Sequence, residues 1–77
     1  MDEALLLSNF GNCVRNARLA IGLSQEKLAL DCGLDRTYIS SVERGRRNVS
    51  LINIYKLAAA LGIPATELLP AKGGSKC

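Results

Sequence analysis

Leu6, Phe10, Cys13, Val14, Ala17 and Ile21 recur at steps of three and four residues, the spacing that lines one face of an α-helix. The pattern predicts a first helix over roughly Leu5 to Ile21, ended by Gly22 where a C-terminal glycine belongs, with Gly11 weakening its early turns. Ser24 then caps a second helix, whose first turn sets Gln25 and Glu26 near the positive end of the helix dipole. Gly33 ends that helix. Asp35 caps a third helix from about Arg36 to Arg44, Gly45 stops it, and Gly45 to Val49 reads as a basic loop. Ser50 caps a fourth helix with an apolar stripe of Leu51, Ile54, Leu57, Ala58 and Leu61, closed by Gly62. Pro64 starts a short fifth helix through Thr66 to Leu69, ended by Pro70. The expectation is an all-α domain of five helices over residues 1–70, followed by a disordered C-terminal tail over 71–77.

The stretch from Gln25 to Arg44, QEKLALDCGLDRTYISSVER, carries more than helical periodicity. Two short helices meet at a tight turn. Ala29 is small where the two must approach closely, and Gly33 sits where a positive φ costs glycine little. Leu28, Cys32, Leu34, Ile39 and Val42 are spaced to lock the pair together. That is the sequence form of a helix-turn-helix, which lays its second helix in the major groove of DNA.

Composition narrows the remaining classes. A chain of 77 residues is one small domain with a limited core, so dimerisation would help stabilise it. The net charge of +3 is unevenly spread: Arg36, Arg44, Arg46 and Arg47 lie close together, opposed there only by Glu43. Alone, such a run reads as a solvated face; beside a helix-turn-helix it reads as a phosphate-binding surface. Cys13, Cys32 and Cys77 have no metal-ligand spacing and the chain has no His, which argues against a zinc site. Cys13 and Cys32 fall at apolar periodic positions, and Cys77 reads as a free terminal thiol. No stretch is long enough to span a membrane. Ala4 to Leu7 is too short for a signal peptide and follows acidic Asp2 and Glu3, so a reduced, cytoplasmic protein is expected. No Ser or Cys has a nucleophile context, and Asp31 and Asp35 are explained by turn and cap positions. The reading is therefore not an enzyme, with no catalytic residues, metal, cofactor or small-molecule ligand expected.

Base reading requires donors that reach out from the N-terminal half of the recognition helix. Arg36 lies in its first turn, where the guanidinium can bind guanine O6 and N7 together; a surface salt bridge to Asp35 or Asp31 is the alternative. Thr37 can hydrogen-bond or place its methyl against thymine, and Ser40 and Ser41 lie one turn on. Tyr38 falls at the groove edge, as a DNA-backbone contact or as a half-buried prop for the turn. Gln25 opens the second helix where a phosphate would sit. Arg44, Arg46, Arg47 and Asn48 flank the far end and can clamp the backbone. Arg18 and Glu43, each next to an apolar position, read as a partly buried ion pair tying the first helix to the third.

The string LSQEKLALDCGLDRTYISSVERGRRNVSLINIYKLAAALGI resembles the Cro/C1-type (XRE) helix-turn-helix regulators, and the resemblance runs from Phe10 to Leu69. LDRTYIS followed by ERGRRN-x-S-L is especially similar to the controller proteins of restriction–modification systems. The resemblance implies a five-helix, lambda-repressor-like fold, a homodimer and a palindromic double-stranded DNA operator. It carries the family's base-reading positions onto Arg36, Thr37, Ser40 and Ser41, its phosphate-contacting Gln onto Gln25, and its buried ion pair onto Arg18 and Glu43. In some activators of the family an acidic residue beside that Gln touches RNA polymerase, a place Glu26 occupies here; a first-turn dipole effect is the stronger reading of Glu26. The short fifth helix ending at Pro70 departs from the controller pattern.

The core stripe of the fourth helix leaves Ile52, Tyr55, Ile63 and Leu69 without a core place, so these four are the expected dimer interface. The alternative function is the DNA-binding antitoxin of a toxin–antitoxin pair. Antitoxins of this fold usually carry extra residues that embrace the toxin, and a short tail leaves little for that role.

Overall fold

The computed structural model describes residues 1–70; the tail expected over 71–77, with Cys77, lies outside the described residues. Among the described residues the chain forms four α-helices: α1 (Glu3–Ala20), α2 (Gln25–Cys32), α3 (Arg36–Glu43) and α4 (Leu51–Leu61). Each begins at a short polar residue whose side chain accepts a backbone N–H of the first turn: Asp2 from Leu5, Ser24 from Lys27, Asp35 from Thr37 and Ser50 from Asn53. Such a cap typically contributes about 1 kcal/mol. The Asp2 cap explains why α1 starts before Leu5.

The expected fifth helix is a single 3-10 turn, Ala65–Glu67. Pro64 and Pro70 bracket too short a segment for α-helical bonding. Proline offers no amide hydrogen and biases the residue before it away from helical geometry. The N–H groups of Glu67, Leu68 and Leu69 bond instead to the carbonyls of Pro64, Ala65 and Thr66, at 3.0, 3.0 and 3.3 Å. This tight turn delivers Leu68 into the core, where it is fully buried.

α1 packs on α3, and α2 packs on both α3 and α4, with the 3-10 turn closing the far side of α4. The completely buried centre consists of Val14, Leu28, Ile39, Val42, Leu57 and Leu68, one or more from every α-helix together with the residue that follows the 3-10 turn. Ile54 is half-buried against it. Three residues of the expected apolar stripes lie outside: Leu6 and Ile21 near the ends of α1 are exposed, and Leu51 is 70% exposed. Each lies at or near a helix end. Cys32 is a buried free thiol whose Sγ donates to the Lys56 carbonyl at 3.6 Å, fastening α2 to α4. Burial, reinforced by the nearby Asp31 carboxylate, pushes its pKa up.

Gly11 is the contact that lets α1 approach α3. A Cβ there would fall 2.7 Å from the Glu43 carbonyl oxygen and closer still to that of Val42. Glycine inside a helix costs about 0.5–1 kcal/mol relative to alanine. Here it is what allows the first helix to seat on the C-terminal end of α3.

Candidate nucleic-acid interface

α2, the turn and α3 form the helix-turn-helix expected from the sequence. Gly33 closes α2 with φ +71°, its N–H bonding to Leu30, while the Leu34 N–H reaches back to Ala29 at 2.9 Å. Asp35 Oδ1 then accepts from the Thr37 N–H at 2.9 Å and starts α3. Both acidic residues near Arg36 are thus engaged elsewhere, because Asp31 pairs with Lys27 at 3.0 Å.

α3 divides into two faces. Ile39, Ser41, Val42 and Glu43 are buried, whereas Arg36, Thr37 and Arg44 are exposed and Ser40 is half-exposed between them. Arg44 Nη1 donates to Ser40 Oγ at 2.7 Å, one turn away on the outer face. Ser41 does not join this row. It is buried, and its hydroxyl donates to the Thr37 carbonyl at 3.0 Å, a back-bond that serine commonly makes inside helices. Ser41 is thereby set apart from the exposed row of Arg36, Thr37 and Ser40 among the expected base-reading residues.

The expected Arg18–Glu43 pair is present and buried, with side-chain exposures of 9% and 3%. Arg18 Nε donates to Glu43 Oε2 at 2.7 Å and Nη2 to Oε1 at 2.9 Å, a bidentate fork. Nη1 donates to the Leu23 carbonyl at 2.8 Å, so the guanidinium is bonded on all three nitrogens. Hydrogen bonding to the carboxylate raises the Arg18 pKa despite the opposing effect of burial. Gln25 enters the same network, its Nε2 donating to Glu43 Oε1 at 3.0 Å. The sequence reading aimed Gln25 outward at a phosphate; its amide is in part anchored inward. No buried side-chain polar atom among the described residues lacks a partner, the condition under which a buried charged network holds its geometry.

Tyr38 is half-buried and touches three segments. Its ring packs against the core, the Arg47 guanidinium lies over the ring at 5.5 Å from its centroid, and its hydroxyl accepts from Asn53 Nδ2 at 3.2 Å. The separation is within cation–π range. Asn53 was not singled out in the sequence. The one available signal is an Asn in the first turn of a largely apolar helix, where it is a weak helix former. Arg46 and Asn48 are exposed on the loop after α3, and the Arg46 N–H bonds to the Ser41 carbonyl at 2.9 Å. Glu26 is exposed in the first turn of α2.

Along α4, Leu51, Ile52, Tyr55, Lys56 and Ala59 line a shallow apolar groove. Leu69 is also exposed. Ile63 is half-buried and packs on the core, so its place in the expected interface is at most marginal. Among the described residues no His, Cys, Asp and Glu side chains cluster to hold a metal ion, and no helix is long and apolar enough to cross a membrane.

The comparisons agree with this geometry. A family model described as Helix-turn-helix matches residues 14–68. Control protein C.BamHI of Bacillus amyloliquefaciens is 57% identical over 61 residues, covering 78% of this chain and 75% of that protein. Control protein C.MunI of a Mycoplasma species is 52% identical over 60 residues, covering 77% and 81%. The crystal structure of the restriction-modification controller protein C.AhdI from Aeromonas hydrophila superposes with a TM-score of 0.80 at 59% identity, over 82% of this chain and 96% of that one. These relatives are named as control or controller proteins, C.AhdI as that of a restriction-modification system. With its α2–turn–α3 unit and a matched span that runs from the second half of α1 through Leu68, the chain belongs to the Cro/C1-type (XRE) helix-turn-helix family and resembles within it the controller proteins of restriction–modification systems.

Proposed function

We propose that this protein is a cytoplasmic transcriptional regulator that binds a palindromic operator as a homodimer and controls the genes of a restriction–modification system. The observation that carries this reading is the outward row Arg36, Thr37 and Ser40 on a helix whose other face is fully committed to the core. Arg36 is free to take a guanine edge through two of its guanidinium nitrogens, and Thr37 and Ser40 read the neighbouring pairs. The backbone is held by Gln25 and the start of α2, by Tyr38, and by Arg44, Arg46, Arg47 and Asn48 beyond the reading helix. Glu26, exposed beside Gln25, is the surface offered to RNA polymerase. Similarity to C.BamHI, C.MunI and C.AhdI supports the controller role.

The partner copy covers the α4 groove around Leu51, Ile52 and Tyr55 and the exposed Leu69. Two-fold symmetry then places the reading helices about 34 Å apart, one turn of DNA, and makes the operator palindromic. Selection of bound duplexes from a random pool tests this directly. The expected consensus is an inverted repeat with half-site centres about one turn apart. A non-repeated consensus, or no enrichment, would refute the dimeric operator-binding reading.

A further inference from the structure

We propose that Asn53, on α4 and outside the helix-turn-helix, is a positioning residue for DNA binding that fixes the direction in which the Tyr38 hydroxyl donates its proton. The inference rests on the reading of Tyr38 as a DNA contact. A phenol hydroxyl has one proton to give and two lone pairs to receive. Asn53 Nδ2 donates to the Tyr38 oxygen at 3.2 Å and so uses an acceptor site, leaving the phenol proton for an outside acceptor. Accepting one bond also strengthens the donor end of the same hydroxyl. Asn53 is itself held, since its backbone N–H donates to Ser50 Oγ at 3.1 Å. Arg47 over the ring fixes the other side of Tyr38. The reading helix, the basic loop and α4 therefore converge on one ring, and the outward proton sits beside an arginine suited to an anion. The outside acceptor is an oxygen or nitrogen of DNA, either a phosphate or a base edge.

Asn53→Asp reverses the polarity of the bond. An ionised carboxylate accepts only, so it draws the phenol proton inward and leaves none for DNA. Asn53→Leu removes the inner partner but leaves the proton. Affinity for operator and scrambled duplexes is measured for wild type, Asn53→Asp, Asn53→Leu, Tyr38→Phe and the Tyr38→Phe/Asn53→Asp double variant, each with a thermal melt and a sedimentation run. Tyr38→Phe is expected to weaken operator binding about three- to tenfold per subunit, the worth of one hydrogen bond. Asn53→Asp should weaken it at least as much, Asn53→Leu less, and Asn53→Asp should cost clearly less in the Tyr38→Phe background. Equal losses on both duplexes identify a phosphate acceptor, and a loss confined to the operator identifies a base.

An Asn53→Asp effect of the same size in both backgrounds would show a plain charge effect and overturn the proposal. So would equal losses for Asp and Leu with parallel falls in melting temperature, which mark a merely structural role. If Asn53→Asp does not fold, Asn53→Leu decides: a loss greater than that of Tyr38→Phe overturns the assignment. Arg36→Ala is run alongside. Where it abolishes operator preference but Tyr38→Phe changes nothing, this inference fails and the DNA-binding reading stands; where neither matters, the reading of the site itself has failed.

Discussion

The Gln25 side chain donates to Glu43 across 3.0 Å, so the residue that opens α2 is tied to the residue that closes α3. The same carboxylate receives both Arg18 donors. The proposed phosphate anchor and the proposed reading helix are thereby set against each other by one buried acceptor, with α1 as the backing. The angle between those two helices decides whether both can meet one duplex.

Glu43→Ala should destabilise the fold by about 3–5 kcal/mol, because it strands the Arg18 guanidinium in the interior. Arg18→Ala should cost a similar amount, and the double variant distinctly less than the sum. Urea melts of the three variants and wild type measure the coupling; additive losses would mean that the pair contributes nothing jointly. The pH dependence follows from the sign of the Arg18 shift. Its pKa is raised in the folded state, so its contribution is fully present below the unfolded value and is lost only as pH climbs through the higher folded one. Melts across the neutral range should show no loss attributable to Arg18.

Arg36→Ala and Arg46→Ala should separate base reading from backbone binding. Removing a bidentate guanine contact costs about 1–3 kcal/mol per half-site and acts on the operator alone. Removing a phosphate contact lowers affinity for every sequence and reduces the salt slope by about 0.9 per subunit. Titrations against operator and scrambled duplexes over a salt series give both numbers. Equal losses on the two duplexes for Arg36→Ala would reassign it to the backbone.

Gly11→Ala sets two effects against each other. Alanine gains about 0.5–1 kcal/mol of helix propensity, but its Cβ would overlap the Val42 and Glu43 carbonyls. Overpacking of this kind costs about 1–3 kcal/mol, and the Val42 and Glu43 neighbours are backbone atoms that cannot rotate aside. The expected result is a lower denaturant midpoint. A rise would mean that α1 shifts without cost.

Ile52→Glu should give a monomer. Ile52 is 69% exposed beside Leu51 and Tyr55, and a charge in the middle of an apolar interface is left without a partner. Sedimentation at micromolar concentration checks the state, and the melting temperature should stay close to that of wild type at high dilution. A dimer that survives the substitution would place the interface elsewhere.

What the sequence made legible was local. The caps at Ser24, Asp35 and Ser50 and the turn at Gly33 depend on neighbours within three or four residues, and the structure has them where the pattern put them. The Arg18–Glu43 pair joins two charges far apart in the chain; it was legible from the apolar neighbour of each and from the family pattern that pairs them. Leu68 and Asn53 were missed because their roles are tertiary: nothing beside Leu68 marks it as core, and nothing beside Asn53 points to Tyr38. Ser40 and Ser41 are chemically identical neighbours; the turn of the helix sends one outward and the other against the core. The fifth helix failed for a local reason that was in view, a proline at each end of too short a segment.

The length of α2 and α3, eight residues each, bears on engineering. Isolated helices shorter than about 12–15 residues are marginal in water, and these two draw their core partners from α1, α4 and Leu68. The helix-turn-helix is therefore not a portable cassette: excised as a peptide it would lose its shape, and transplanted it would need the whole bundle behind it. Re-targeting to a new operator belongs at Arg36, Thr37 and Ser40 on the intact scaffold, where the side chains have no structural partner in the core to lose.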